Sequence, residues 1–123
     1  MTHPLPEIEV ELDQRMLDQF RLLERSGRPG ALAQMVRMFL GSSVAQIAAI
    51  EAASGAGDAE KLRVTSHTLK SNAASFGATA LATICFEIET AARTGTGSLS
   101  AEALEWLRTT HRATCAALER EIA

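Results

Sequence analysis

The sequence has no tyrosine, and aromatic residues make up only 4% of it, so a surface on which nucleic-acid bases could stack is not available. Positive charge is not in excess either. The formal net charge is −3, the wrong balance for a nucleic-acid binder, which needs a basic face or stripe. No apolar run approaches the roughly 18 residues that a membrane span requires. The two cysteines, Cys85 and Cys115, are far apart and form no CxxC pair, which excludes a disulfide framework. With no signal-peptide pattern beside them, they point to a reducing cytoplasm. Proline occurs only at Pro4, Pro6 and Pro29, and runs of β-branched residues are missing, so little in the chain asks for strands. There is no internal repeat and no low-complexity segment.

What remains is rich in Ala, Leu and Glu, which favour helices. A chain of 123 residues suits one domain, 1–123, able to bury roughly two-thirds of its unfolded surface without staples. Residues 1–12 read as a lead-in with two prolines and little helical period. Asp13 is an N-cap for a first helix that Gly27 ends, with Met16, Leu17, Phe20 and Leu23 on one face. A long second helix follows from about Ala31 to Ala53, with Leu32, Met35, Val36, Phe39, Leu40, Val44, Ile47 and Ile50 as its stripe. The segment Ser54-Gly55-Ala56-Gly57 ends it. Asp58 caps a third helix that runs to near Gly77. A fourth extends from about Ala78 to Arg93, with Leu81, Ile84, Cys85, Ile88 and Ala92 apolar in register. Ser98 or Ser100 caps a last helix to the C-terminus, with Leu104, Leu107, His111, Thr114, Leu118 and Ile122 on its stripe. Short loops make successive helices antiparallel. The expected fold is all-α: an antiparallel up-down four-helix bundle with a short additional N-terminal helix.

The third helix carries the most informative stretch, VTSHTLKSNAASFG from Val64 to Gly77. On a wheel of 100° per residue, Leu62, Leu69 and Phe76 recur seven apart with Ala73 beside them, and they define the core face. His67 falls at about 160° from Leu69 and is expected in solvent. Its surface neighbours, three, four and seven residues away, include Arg63, Val64, Lys70, Ser71 and Ala74. Ser71 and Ala74 are small and leave the imidazole standing above a low surface that a partner can approach. An ordinary imidazole is mostly neutral at pH 7, and the neutral ring is a nucleophile. Cations at Arg63 and Lys70 would interact favourably with the oxygens of a phosphoryl group carried on that ring. The third helix offers no carboxylate one turn after His67 and no second histidine, so it presents a lone nucleophile and a poor metal site. Exposed histidines are most often solvated polar residues; the wider pattern is what separates this one from them.

Ser66-His67-Thr68-Leu69-Lys70-Ser71-Asn72-Ala73-Ala74-Ser75-Phe76-Gly77 resembles the signature of the histidine-containing phosphotransfer (HPt) domain. The resemblance continues through Leu81 into Cys85-Phe86-Glu87-Ile88-Glu89, and takes in Phe39-Leu40 and Gly57-Asp58, so it covers the chain roughly from Asp13 onward. It implies a four-helix bundle whose exposed histidine accepts a phosphoryl group from a receiver-domain aspartyl phosphate and passes it to another receiver. His67 matches the phosphorylated position, and Lys70 the basic residue that helps hold the phosphoryl oxygens. Arg63, Val64, Ser71 and Ala74 would lie on the receiver-docking surface. The resemblance implies no cofactor of the protein's own, Mg²⁺ being supplied by the receiver, and no intrinsic kinase activity. The partners implied are receivers of response regulators and of hybrid histidine kinases, with a monomer as the simplest state. One departure stands out: the family commonly has Gly directly after the lysine, and this chain has Ser71.

The other candidates read as structural. His111 lies on the apolar stripe of the last helix and is expected to be partly buried. Cys85 and Cys115 read as small buried hydrophobes. His3 sits in the lead-in. The alternative function is a non-catalytic helical module that binds a receiver or histidine kinase without phosphotransfer. A bundle holding a metal or haem is weaker, because His111 is the only inward-facing ligand it would have.

Overall fold

The structure is a computed structural model that describes residues 9–123. Among the described residues there are five helices and no strand: α1 (Gln14–Arg25), α2 (Ala31–Ala56), α3 (Ala59–Ser75), α4 (Thr79–Arg93) and α5 (Ala101–Glu121). His3 lies outside the described residues. Of the expected lead-in, Leu12 is partly buried against the core.

Local chemistry sets most of the boundaries. The Asp13 carboxylate accepts from Arg15 N, Asp58 from Lys61 N and the Ser100 hydroxyl from Ala103 N, each at 3.0 Å. Of the two candidate serines, Ser100 is therefore the cap. The start of α2 has no such residue of its own, since Gly30 stands at its N-cap. Glu24, from α1, accepts from Leu32 N at 2.9 Å and takes over the task. The second helix runs to Ala56, three residues past the expected end, and stops at Gly57 in a left-handed conformation. Ser54, expected to be part of the terminating segment, is instead a buried helical residue. Its Oγ accepts from Leu99 N at 2.8 Å and its carbonyl from Ser98 Oγ at 3.0 Å, which ties the α4–α5 loop to the end of α2.

Helix α3 packs most extensively against α4; α2 lies against α3 and α5, and α4 also meets α5. Helix α1 packs on α2 and α3. The core runs through Leu17, Val36, Phe39, Ile50, Leu62, Leu69, Leu81, Ile88, Leu107 and Leu118. Three of the four phenylalanines meet where α1 packs on α2 and α3. Phe76 stacks on Phe20 with ring centroids 5.2 Å apart and lies 5.0 Å from Phe39. The α3–α4 turn is pinned there too, as Asp13 N donates to Gly77 O at 2.8 Å. Gly77 has φ +71°, and a Cβ on it would sit 2.4 Å from Asp13 O, so only glycine fits. Two stripe positions differ from expectation. Val44 is 59% exposed and Leu23 is 40% exposed, each at the edge of a stripe wider than the interface it meets.

Candidate functional site

Helix α3 divides as its wheel predicts. Leu62, Leu69, Ala73 and Phe76 are buried, and the His67 side chain on the opposite side is 53% exposed. The imidazole is not alone, however. Helices α3 and α4 form a hairpin about Gly77, and this brings Glu89 of α4 alongside His67.

Glu89 is the hub. Its side chain is only 2% exposed, and one oxygen, Oε2, lies 2.9 Å from His67 Nδ1 and accepts from Arg93 Nη2 at 2.8 Å. The other, Oε1, accepts from Lys70 Nζ at 2.6 Å. The Lys70 ammonium, with help from His67, holds the Glu89 carboxyl well below its usual range, to about 2, against the opposing effect of burial. Glu89 is therefore ionised at neutral pH, and an ionised carboxylate can only accept. His67 Nδ1 must carry a proton, and in the neutral ring Nε2 is left with the free lone pair. The same carboxylate fixes the rotation of the ring and gathers two cations beside it, one more than its own charge requires. Such a place is a half-open nucleophile with positive charge in reserve.

The expected site residues divide into three groups. His67 and Lys70 are brought together, on the two oxygens of one carboxylate. Arg63 is half-buried and engaged elsewhere: its guanidinium donates to Glu60 one turn back, at 2.6 and 3.1 Å. Val64, Ser71 and Ala74 are exposed around His67 on α3, Val64 at 48%. Glu89 and Arg93 were not foreseen, and the lone nucleophile of the wheel is corrected by them. The signal for Glu89 was present. It sits four residues after Cys85 and three before Ala92, so a carboxylate occupies the apolar stripe of α4, where an unpaired charge is not tolerated.

The structural residues behave largely as expected. His111 is buried, with Nε2 at 2.8 Å from Ser43 Oγ, and burial pushes its pKa down. Cys85 is buried and its thiol is pushed up to about 12, which makes it inert as a nucleophile. Cys115 is more open than expected. It lies with His111, Leu40 and Val44 on a shallow groove of about 390 Å³ between α2 and α5, whose lining includes neither His67 nor its partners. Among the described residues no three His, Cys, Asp or Glu side chains cluster to hold a metal, and no helix is long and apolar enough to cross a membrane.

An exposed histidine held through Nδ1 on a helical hairpin, with cations gathered on the same carboxylate, is an arrangement chemically able to take up a phosphoryl group. The Hpt domain family matches residues 34–122, and the chain belongs to that family, the histidine phosphotransfer class of phosphorelay proteins. It is similar to the crystal structure of histidine-containing phosphotransfer protein B (HptB) from Pseudomonas aeruginosa PAO1, with 26% identity, a TM-score of 0.77 and 96% of each chain covered. No curated protein sequence matches the chain.

Proposed function

We propose that the protein is a phosphorelay intermediate in which His67 Nε2 takes a phosphoryl group from the aspartyl phosphate of a receiver domain and delivers it to the aspartate of another. The observation that carries this reading is the bond between His67 Nδ1 and the buried Glu89, which leaves Nε2 as the nucleophile.

The step follows from the geometry. The Nε2 lone pair attacks phosphorus, the P–O bond to the receiver aspartate breaks, and the aspartate leaves as carboxylate. The product ring is protonated at Nδ1 and phosphorylated at Nε2, so it carries positive charge. That charge grows on the side of the ring that faces Glu89. An ionised carboxylate stabilises it more than it stabilises the neutral ring, which is the condition for accelerating the reaction. Lys70 and Arg93 share Glu89 and retain donors for the incoming oxygens. The transfer is reversible by the same path, as a carrier requires.

In this reading the receiver brings the divalent ion in its own acidic pocket. The carboxylate beside His67 is already engaged by three donors, and the charges around it favour an anion. The protein then needs no kinase activity of its own. Val64, Ser71 and Ala74 form the ground on which the receiver closes. The hydroxymethyl of Ser71, where the family commonly has no side chain, narrows that approach. The helix neighbours, α2 to α3 to α4 to α5 and back to α2, support an antiparallel up-down bundle that α1 covers at one end. In this reading the bundle works as one domain, as a monomer and in the cytoplasm.

The test is transfer from a panel of phosphorylated receivers, followed as acid-labile phosphate on the protein. Wild type takes the label and His67→Gln does not, while the variant keeps its helical circular dichroism because the side chain it replaces is half exposed. Lys70→Ala slows transfer about 10- to 150-fold without abolishing it, the loss of one charge-assisted contact. Receivers that bind tightly but leave no phosphate on the wild type would refute the proposal in favour of a docking module.

A further inference from the structure

Phe86 has no task in the reading so far. It is the one phenylalanine outside the cluster formed by Phe20, Phe39 and Phe76, and it is 56% exposed. It stands on α4 one turn before Glu89, on the face that meets Lys70. The Lys70 ammonium lies 5.4 Å from the centroid of its ring, inside the range at which a cation is attracted to an aromatic face. Lysine is ordinarily among the most exposed residues, yet the Lys70 side chain is only 26% exposed, held between the ring and the carboxylate.

We propose that Phe86 is a positioning residue of the phosphoryl site, acting through Lys70; the inference rests on the phosphotransfer reading above. An ammonium on a flexible four-carbon stem has many places to go, and that freedom must be given up when it meets a phosphoryl oxygen. Glu89 alone tethers one of its three N–H donors. The electron-rich face of Phe86 holds the ammonium from a second direction and keeps it ordered before the phosphoryl group arrives. A leucine would cover the stem equally well but has no such face. What Phe86 contributes is therefore the ring, which an aromatic replacement restores and an aliphatic one does not.

The experiment removes the receiver, so that docking plays no part. Wild type, Phe86→Leu, Phe86→Trp, Lys70→Ala and the double variant Phe86→Leu/Lys70→Ala are phosphorylated with phosphoramidate. His67 Nε2 attacks its phosphorus, the P–N bond breaks and ammonia leaves. Phosphorus NMR gives the rate of phosphohistidine formation and its lifetime. Proton NMR of the unphosphorylated proteins gives the ring-current shift of the Lys70 Hε protons. Phe86→Leu is expected to slow formation or shorten the lifetime about 2- to 5-fold, the effect of an exposed cation–aromatic contact. It also removes the upfield shift at Lys70. Phe86→Trp restores both, and in the Lys70→Ala background the change at Phe86 has no further effect. A Phe86→Leu protein indistinguishable from wild type, or one that loses as much without Lys70 as with it, overturns the inference and leaves the phosphotransfer reading standing. A wild type that takes no phosphate from phosphoramidate and none from the phosphorylated receivers overturns that reading, and the inference with it.

Discussion

Replacing Glu89 by alanine tests the centre of the site. The substitution removes a carboxylate that is 2% exposed and frees three partners at once: His67 Nδ1, the Lys70 ammonium and the Arg93 guanidinium. The cost to folding is limited, because the partners it strands can reach water. Arg93 is 60% exposed, His67 53% and Lys70 26%, so a few kcal/mol at most is expected, less than for a fully buried pair cut in half. The cost to chemistry is larger. The imidazole loses the acceptor that fixes its tautomer and stabilises the charge it gains. A charge-assisted bond of that kind contributes roughly 1.5–3 kcal/mol, so transfer to His67 should slow about 10- to 150-fold. Glu89→Gln separates the two effects. Its carbonyl can still accept from Nδ1, but it carries no charge, and its amide cannot accept from Lys70. It should fall between wild type and alanine. The assay is single-turnover transfer from a phosphorylated receiver, with nitrogen-15 NMR of the His67 ring beside it. Wild type should show the proton on Nδ1, and Glu89→Ala should show a share moved to Nε2. A folded Glu89→Ala protein that transfers within twofold of wild type, with an unchanged ring tautomer, would refute the assignment of Glu89 to the mechanism.

The same carboxylate makes stability depend on pH. Because folding lowers the Glu89 pKa from its ordinary 4.5 to about 2, the unfolded chain binds the proton first on acidification; the contribution is complete above pH 4.5 and is lost as the pH falls towards 2. Urea unfolding across that window should show wild type losing its advantage over Glu89→Gln, and an advantage that does not change with pH would contradict the ion cluster. Gly77→Ala should cost roughly 3 kcal/mol in thermal or urea unfolding, because a left-handed backbone and a Cβ 2.4 Å from Asp13 O act together. Gly95→Ala, also at positive φ but with no atom within 4 Å of the added Cβ, should cost only about 1–2 kcal/mol. Equal losses at the two glycines would show that the clash with Asp13 relaxes freely.

Features of this protein were legible in the sequence where their causes lie within a few residues of one another. Asp13, Asp58 and Ser100 cap helices through backbone groups two or three residues on, and each was read correctly or as one of two choices. The seven-residue recurrence of Leu62, Leu69 and Phe76 fixed the outward direction of His67 for the same reason. Legibility fails where a side chain serves a distant part of the chain. Glu24 caps a helix that is not its own, eight residues on. Ser54 reads as part of the Ser54-Gly55-Ala56-Gly57 segment that ends a helix, yet its hydroxyl and carbonyl hold a loop more than forty residues away. Glu89 is the extreme case, since its partners His67 and Lys70 are 22 and 19 residues back and only the hairpin joins them. A wheel treats each helix separately, so it can say that His67 faces out and cannot say what reaches across to it. What it does register is inconsistency: a carboxylate on the buried stripe of α4 has to be paired, and Lys70, across the hairpin, and Arg93, one turn on, are the cations a buried anion calls for. The exposed histidine could be found from one helix, but the carboxylate that holds its ring comes from a second, and the clue to it was a charge that did not belong in the core.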